Sequence, residues 1–166
     1  MDIRAGVLTI GLLGGCAIPP GAAPALPAGT VISMNETQMG AALGGIELAA
    51  DNSADVAVSG GKFPVVTVSR FHAVVDAASA DAARKALAPW FLGKPKPPCE
   101  DPAHDAPGLD VFARQGGREI GTAHVYLGCG GKAYQAYAAQ VYAQYKALRS
   151  AARLDATPYA NAPAGN

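Results

Sequence analysis

Apolar residues recur with period two along much of the first half of this chain, and that pattern predicts strands. Residues 30–35 (TVISMN) open with β-branched side chains and read as a short strand. After Gly44-Gly45, apolar positions alternate at Ile46, Leu48 and Ala50. Asp51-Asn52-Ser53 has turn chemistry, because these side chains hydrogen-bond their own backbone. Alternation resumes over residues 55–59, and Gly60-Gly61-Lys62 turns the chain into residues 63–68 (FPVVTV). The expectation is an antiparallel meander.

The period then lengthens. Phe71, Val74, Val75, Ala78 and Ala82 fall on one helical face, with Ser69 as the candidate N-cap. Ser79 and Asp81 could restart a second helix, and Pro89 should close it. One broken helix or two short ones are therefore predicted over residues 70–91. An extended connector, residues 93–98, leads into an acidic loop, residues 99–107. Residues 109–115 and 118–127 flank Gly116-Gly117, a two-residue hairpin turn. That register sets Arg114 opposite Glu119 and Val111 opposite Thr122. A last helix, residues 133–153, carries the stripe Tyr134, Tyr137, Val141, Tyr145 and Leu148, which reads as a core-facing surface.

These elements predict an α+β fold. An antiparallel sheet of about five or six strands carries helical segments 70–91 and 133–153 on one face. Residues 30–154 form the single domain and residues 155–166 a disordered tail. The order of elements over residues 45–149, with Asp105-Ala106-Pro107, is faintly similar to uncharacterised bacterial domains, and this likeness implies no activity. Composition narrows the function classes. Thirteen basic residues balance thirteen acidic ones among 166, which leaves no electrostatic case for nucleic-acid binding.

The N-terminus carries an address. An apolar run from Ala5 follows Arg4 and ends in Leu13-Gly14-Gly15-Cys16. The run is too short to span a bilayer, which needs roughly 20 apolar residues, and fits the core of an export signal. It resembles a bacterial lipoprotein signal, although Asp2 offsets the single basic side chain. The resemblance implies cleavage before Cys16 and acylation of Cys16, so residues 1–15 would be the signal. Acyl chains would then be the link to the membrane. Ala17, where an Asp would favour the inner membrane, implies the periplasmic face of the outer membrane. Residues 16–29 are broken by proline and read as an extended tether reaching about 30 Å. In such an oxidising compartment the remaining cysteines, Cys99 and Cys129, read as a disulfide, which the hairpin geometry also favours.

Several local patterns invite chemistry. Gly128-Cys129-Gly130-Gly131-Lys132 lies between strand and helix like a phosphate loop, but Tyr126 and Ala133 occupy positions where that motif needs Gly and Ser or Thr. Asp51, Ser53 and Asp55 open like a calcium loop, yet Val56 and Lys62 replace its Gly and Glu. Asn35-Glu36-Thr37 matches a glycosylation triplet by chance spacing. Cys99, Glu100, Asp101, His104 and Asp105, with His124 from the hairpin, could gather around zinc, but no helical ligand spacing orders them. His72 and the serines at 59, 69 and 79 lie in no nucleophile-elbow context. No catalytic residue, metal site or cofactor is assigned. The leading expectation is a non-enzymatic envelope lipoprotein, an accessory or binding module with a possible protein partner. A metal-dependent periplasmic hydrolase on His104, Asp105 and His124 is the first alternative, and a small inhibitor of an envelope enzyme the second.

Overall fold

The computed structural model describes residues 25–38, 41–62, 65–92, 95–103 and 105–163. The signal, Cys16, most of the proposed tether and His104 lie outside the described residues. The α+β fold with a sheet of five or six strands, predicted from the pattern, is not what the chain forms. The domain is sheet-rich, with eight strands in one antiparallel sheet and two helices among the described residues. The strands are β1 (Val31–Gln38), β2 (Ala41–Leu48), β3 (Ser53–Lys62), β4 (Val65–Val75), β5 (Gly108–Gln115), β6 (Arg118–Tyr126), β7 (Ala152–Leu154) and β8 (Ala160–Pro163). The helices are α1 (Ala77–Phe91) and α2 (Lys132–Ala151). The sheet order is β6-β5-β1-β2-β3-β4-β7, and β8 pairs with β4 beyond β7.

Residues 70–75 are strand rather than helix. Phe71 and Val75 satisfy a helical period and a strand period equally, so periodicity alone could not separate them. Partners decide the matter: β4 pairs with β3 from Lys62↔Val65 to Ser53↔Val74. Ala73 and Val75 are buried, whereas Arg70, His72 and Val74 face solvent. Helix α1 starts only after Asp76, whose Oδ1 accepts from the Ser79 N–H at 2.9 Å. That bond from the Ser79 backbone is the first cause holding the Asp76 carboxyl below its ordinary pKa. Arg84 ties α1 to the β2–β3 turn, donating to Asn52 Oδ1 at 2.9 Å and to the Ala49 carbonyl at 2.8 Å.

Both ends of the domain also differ from expectation. Leu26, assigned to the tether, is buried in the core, and the Pro27 carbonyl accepts from the Thr30 N–H and hydroxyl. The expected disordered tail instead contributes β8, and the Asp155 and Tyr159 N–H groups donate to the His72 and Arg70 carbonyls. In the β5–β6 hairpin Arg114 stands opposite Glu119, but a bulge after Ala113 shifts the register. Val111 therefore faces Ala123, and Phe112 faces Thr122.

One face of the sheet is packed. Ile32, Met34, Ile46, Leu48, Val56, Val111 and Val125 point toward α1 and α2 and are almost fully buried. From α2, Tyr134, Tyr137, Ala138, Val141, Tyr145 and Leu148 meet them, and Trp90 of α1 packs edge-on against Tyr137. Phe91 lies directly on Gly121 of β6, where an added Cβ would come within 2.7 Å of its ring-bearing carbon. Cys99 and Cys129 are at disulfide distance, with Cα atoms 5.1 Å apart, and Gly130 bridges to Glu100 beside them.

Two outcomes follow for stability. Cys99→Ser reopens a loop of 30 residues and should lower the free energy of unfolding by about 3–4 kcal/mol, measured by denaturant titration. Gly121→Ala should cost about 1–3 kcal/mol by overpacking against Phe91, with no comparable loss for Gly60→Ala, whose nearest neighbour is 3.8 Å away.

Candidate functional site: the open face of the sheet

The face away from the helices is polar, and pairing aligns it in two cross-strand rows. One row runs His124, Asp110, Asn35, Gly45, Ala57 and Arg70 across β6, β5, β1, β2, β3 and β4. The neighbouring row runs Thr122, Phe112, Ser33, Glu47, Asp55 and His72 across the same strands. The strand pleat puts both rows on one side, because residues two apart share a face. This surface therefore gathers side chains that lie up to about 90 positions apart in the chain (Ser33 to His124).

Within it, histidines and carboxylates are paired. His124 Nδ1 lies 2.5 Å from Asp110 Oδ1, and His72 Nδ1 lies 2.7 Å from Asp55 Oδ1. His72 also stacks on Tyr159 from the chain end, with ring centroids 4.1 Å apart. Ser33, only 4% exposed, donates its hydroxyl proton to Glu47 Oε2 at 2.7 Å. Asp–His pairs orient an imidazole, as a general base requires, but a nucleophile must stand within hydrogen-bond reach. Ser33 lies three strands from His72, about 14 Å at the usual strand spacing, and its hydroxyl is already committed to Glu47. Ser33 and His72 therefore do not form a nucleophile–base pair.

No known family, curated protein or solved structure matches this chain. Cys99 and Cys129 come together as the sequence suggested, which withdraws the Cys99 thiolate from any metal. Asp105 sits in the loop before β5, where its carbonyl accepts from Gln38, while His124 is held by Asp110 on the sheet. Among the described residues no group of three or more His, Cys, Asp and Glu is placed to hold a metal ion. His72 is on a strand, not a helix. Asp51 accepts from the Ser53 hydroxyl and N–H, and these bonds, the hydroxyl first, hold its carboxyl below the ordinary pKa. It shapes a turn. Gly131, at φ +84°, is the N-cap of α2, and a Cβ there would come within 2.9 Å of the Glu100 carboxylate, so the turn needs glycine at this position.

Glu47, Asp110 and Arg70 carry no motif in the sequence, and Asn35 stands out there only as part of a glycosylation triplet. Their signal was present as the polar half of each alternating strand, but only the register reveals that they adjoin.

A second polar cluster lies on the packed face. Tyr142 and Tyr145 of α2 both donate to the Glu36 carboxylate of β1, and Arg149 donates to the Tyr145 hydroxyl at 2.9 Å. Gly44 makes room for it, because a Cβ there would stand 3.0 Å from the Arg149 guanidinium. Burial, then the bond to Glu36, pushes the Tyr142 phenol far up, and burial raises Tyr145 against the opposing pull of Arg149. Burial also pushes Tyr137 up to about 12, with Tyr134 adding to it. The cluster fastens α2 to β1.

These phenols make stability sensitive to alkali. Unfolded tyrosines ionise near pH 10, while the folded ones stay neutral, so stability is intact below pH 10 and falls as pH rises through the folded values. Denaturation at stepped pH should show the decline between about pH 10 and 12. Ultraviolet titration of the folded chain should show tyrosines that resist ionisation past pH 10; six tyrosines titrating together near 10 would contradict this.

Proposed function

We propose that this chain is an exported, lipid-anchored protein of the bacterial cell envelope, acting as a non-enzymatic accessory or binding module. Cys16 is the acylated residue, the membrane contact is made by its acyl chains, and the protein works at the periplasmic face of the outer membrane. The open polar face of the sheet is the surface it presents to a partner in the envelope.

The observation that carries this reading is the Cys99–Cys129 pair. Such bonds persist in oxidising compartments, and the pair uses two of the three cysteines, leaving Cys16 for the anchor. Two or more acyl chains suffice for stable attachment. No helix among the described residues is long and apolar enough to cross a membrane. The order of signal, cysteine, proline-rich spacer and stapled domain supports the same reading. So does a wide polar surface whose two histidines are each held by a carboxylate partner.

Mass spectrometry of the mature N-terminal peptide from membranes tests the address. The expected species begins at Cys16 and carries a diacylglyceryl thioether and an N-acyl chain, and Cys16→Ser should release the protein from the membrane fraction. An unmodified Cys16, or cleavage at another position, would overturn the anchor.

A further inference from the structure

At the centre of the open face the two rows leave a notch of about 160 Å³. Its floor is made by the two smallest residues of the first row, Gly45 and Ala57, and its walls by Asn35, Glu47, Asp55 and Arg70. The floor stays low for a reason. A Cβ on Gly45 would come within 2.8 Å of Asn35 Oδ1, so the asparagine amide leans over the space that glycine leaves.

Charge is separated across this notch. Asp55 spends one oxygen on His72, which stands directly opposite it, and Glu47 spends one on Ser33. Arg70 stands opposite Ala57 and is only diagonal to Asp55. Diagonal neighbours on a sheet are about 7–8 Å apart, within reach of a long side chain. Nevertheless Arg70's guanidinium makes no ion pair or hydrogen bond with any described residue. An uncommitted cation therefore faces two half-committed carboxylates over a floor whose only side chain is the Ala57 methyl.

We propose that the notch binds a small zwitterion, an α-amino acid of the size of glycine or alanine. Arg70 receives the ligand carboxylate as a two-bonded pair, Glu47 and Asp55 receive the ammonium, and the Asn35 amide bonds the carboxylate edge. Neither a bare cation nor a bare anion suits the walls, since each would leave one sign of charge uncompensated. Size sets the class: at about 30 Å³ per water the notch holds about five waters, so ligands of about five to seven non-hydrogen atoms fill it. Larger amino acids would extend along the groove toward His72 and Val74, which borders the same carboxylates. This inference rests on the open face being the binding surface, not on the membrane address. An unmodified Cys16 would leave it standing.

The test is amide-resolved NMR titration of the full chain with glycine, L-alanine, D-alanine, acetate and methylammonium. Glycine or alanine should shift the Gly45, Ala57 and Arg70 amides and saturate with a Kd of about 1 mM or tighter. Acetate and methylammonium should each bind at least about tenfold more weakly. Ala57→Leu fills the notch from an open-face position and should abolish the shifts at an unchanged melting temperature. Arg70→Gln should weaken alanine about tenfold or more and leave methylammonium unaffected. The proposal fails if none of the three amino acids gives a saturable shift by about 50 mM, well beyond the expected Kd. It also fails if acetate or methylammonium alone binds as tightly, or if Ala57→Leu leaves the shifts in place.

Discussion

Burial of one side of the sheet beneath α1 and α2 is the interaction on which the remaining architecture depends. A strand turns successive side chains to opposite faces, so a residue that must be buried dictates where its neighbours go. Ile32 and Met34 point into the helices, and Ser33 and Asn35 are thereby sent to the open side. A shift of one residue would exchange the two sets on every strand. The core consequently fixes the register, and the register composes the polar surface.

Non-local pairing gives that surface its extent. β1 lies between β2 and β5, so the late hairpin joins the early meander at its first strand rather than its last. Asp110 and His124 are thus brought beside Asn35. The bulge after Ala113 keeps them in line: without it, His124 would fall one position out of register with Asp110. On the opposite side, β7 and β8 cover the edge of β4, and Tyr159 lies against His72. Free sheet edges invite pairing with other chains, and two short strands blunt this one. Glu36 and the α2 tyrosines hold the second helix over the middle of the sheet.

The legibility of each part followed the range of the interaction that made it. The α2 stripe was legible because Tyr134, Tyr137, Val141, Tyr145 and Leu148 meet the core through their own periodicity. The pairing of Cys99 with Cys129 was legible through the hairpin that returns one toward the other. Residues 70–75 look helical in the sequence because Phe71 and Val75 fit two periods at once, and β3, not local preference, makes them a strand. Ala160 to Pro163 carry almost no apolar signal, and their pairing comes from an exposed edge of β4 that no local pattern announces. The notch was invisible because glycine and alanine in a strand read as weakness. Only beside Asn35, Glu47 and Arg70 do Gly45 and Ala57 become a floor.

By itself the sequence determined which segments alternate, where the chain turns at Gly116-Gly117, which helix face is apolar and which residues resemble a lipidation signal. These are local properties, set by side-chain chemistry within a few turns of chain. Strand order, the β5–β6 bulge, the capture of the chain end and the meeting of Asn35, Glu47, Asp55 and Arg70 belong to the tertiary structure alone. Each is a choice among distant partners, made because one register buries the apolar faces of all the strands together.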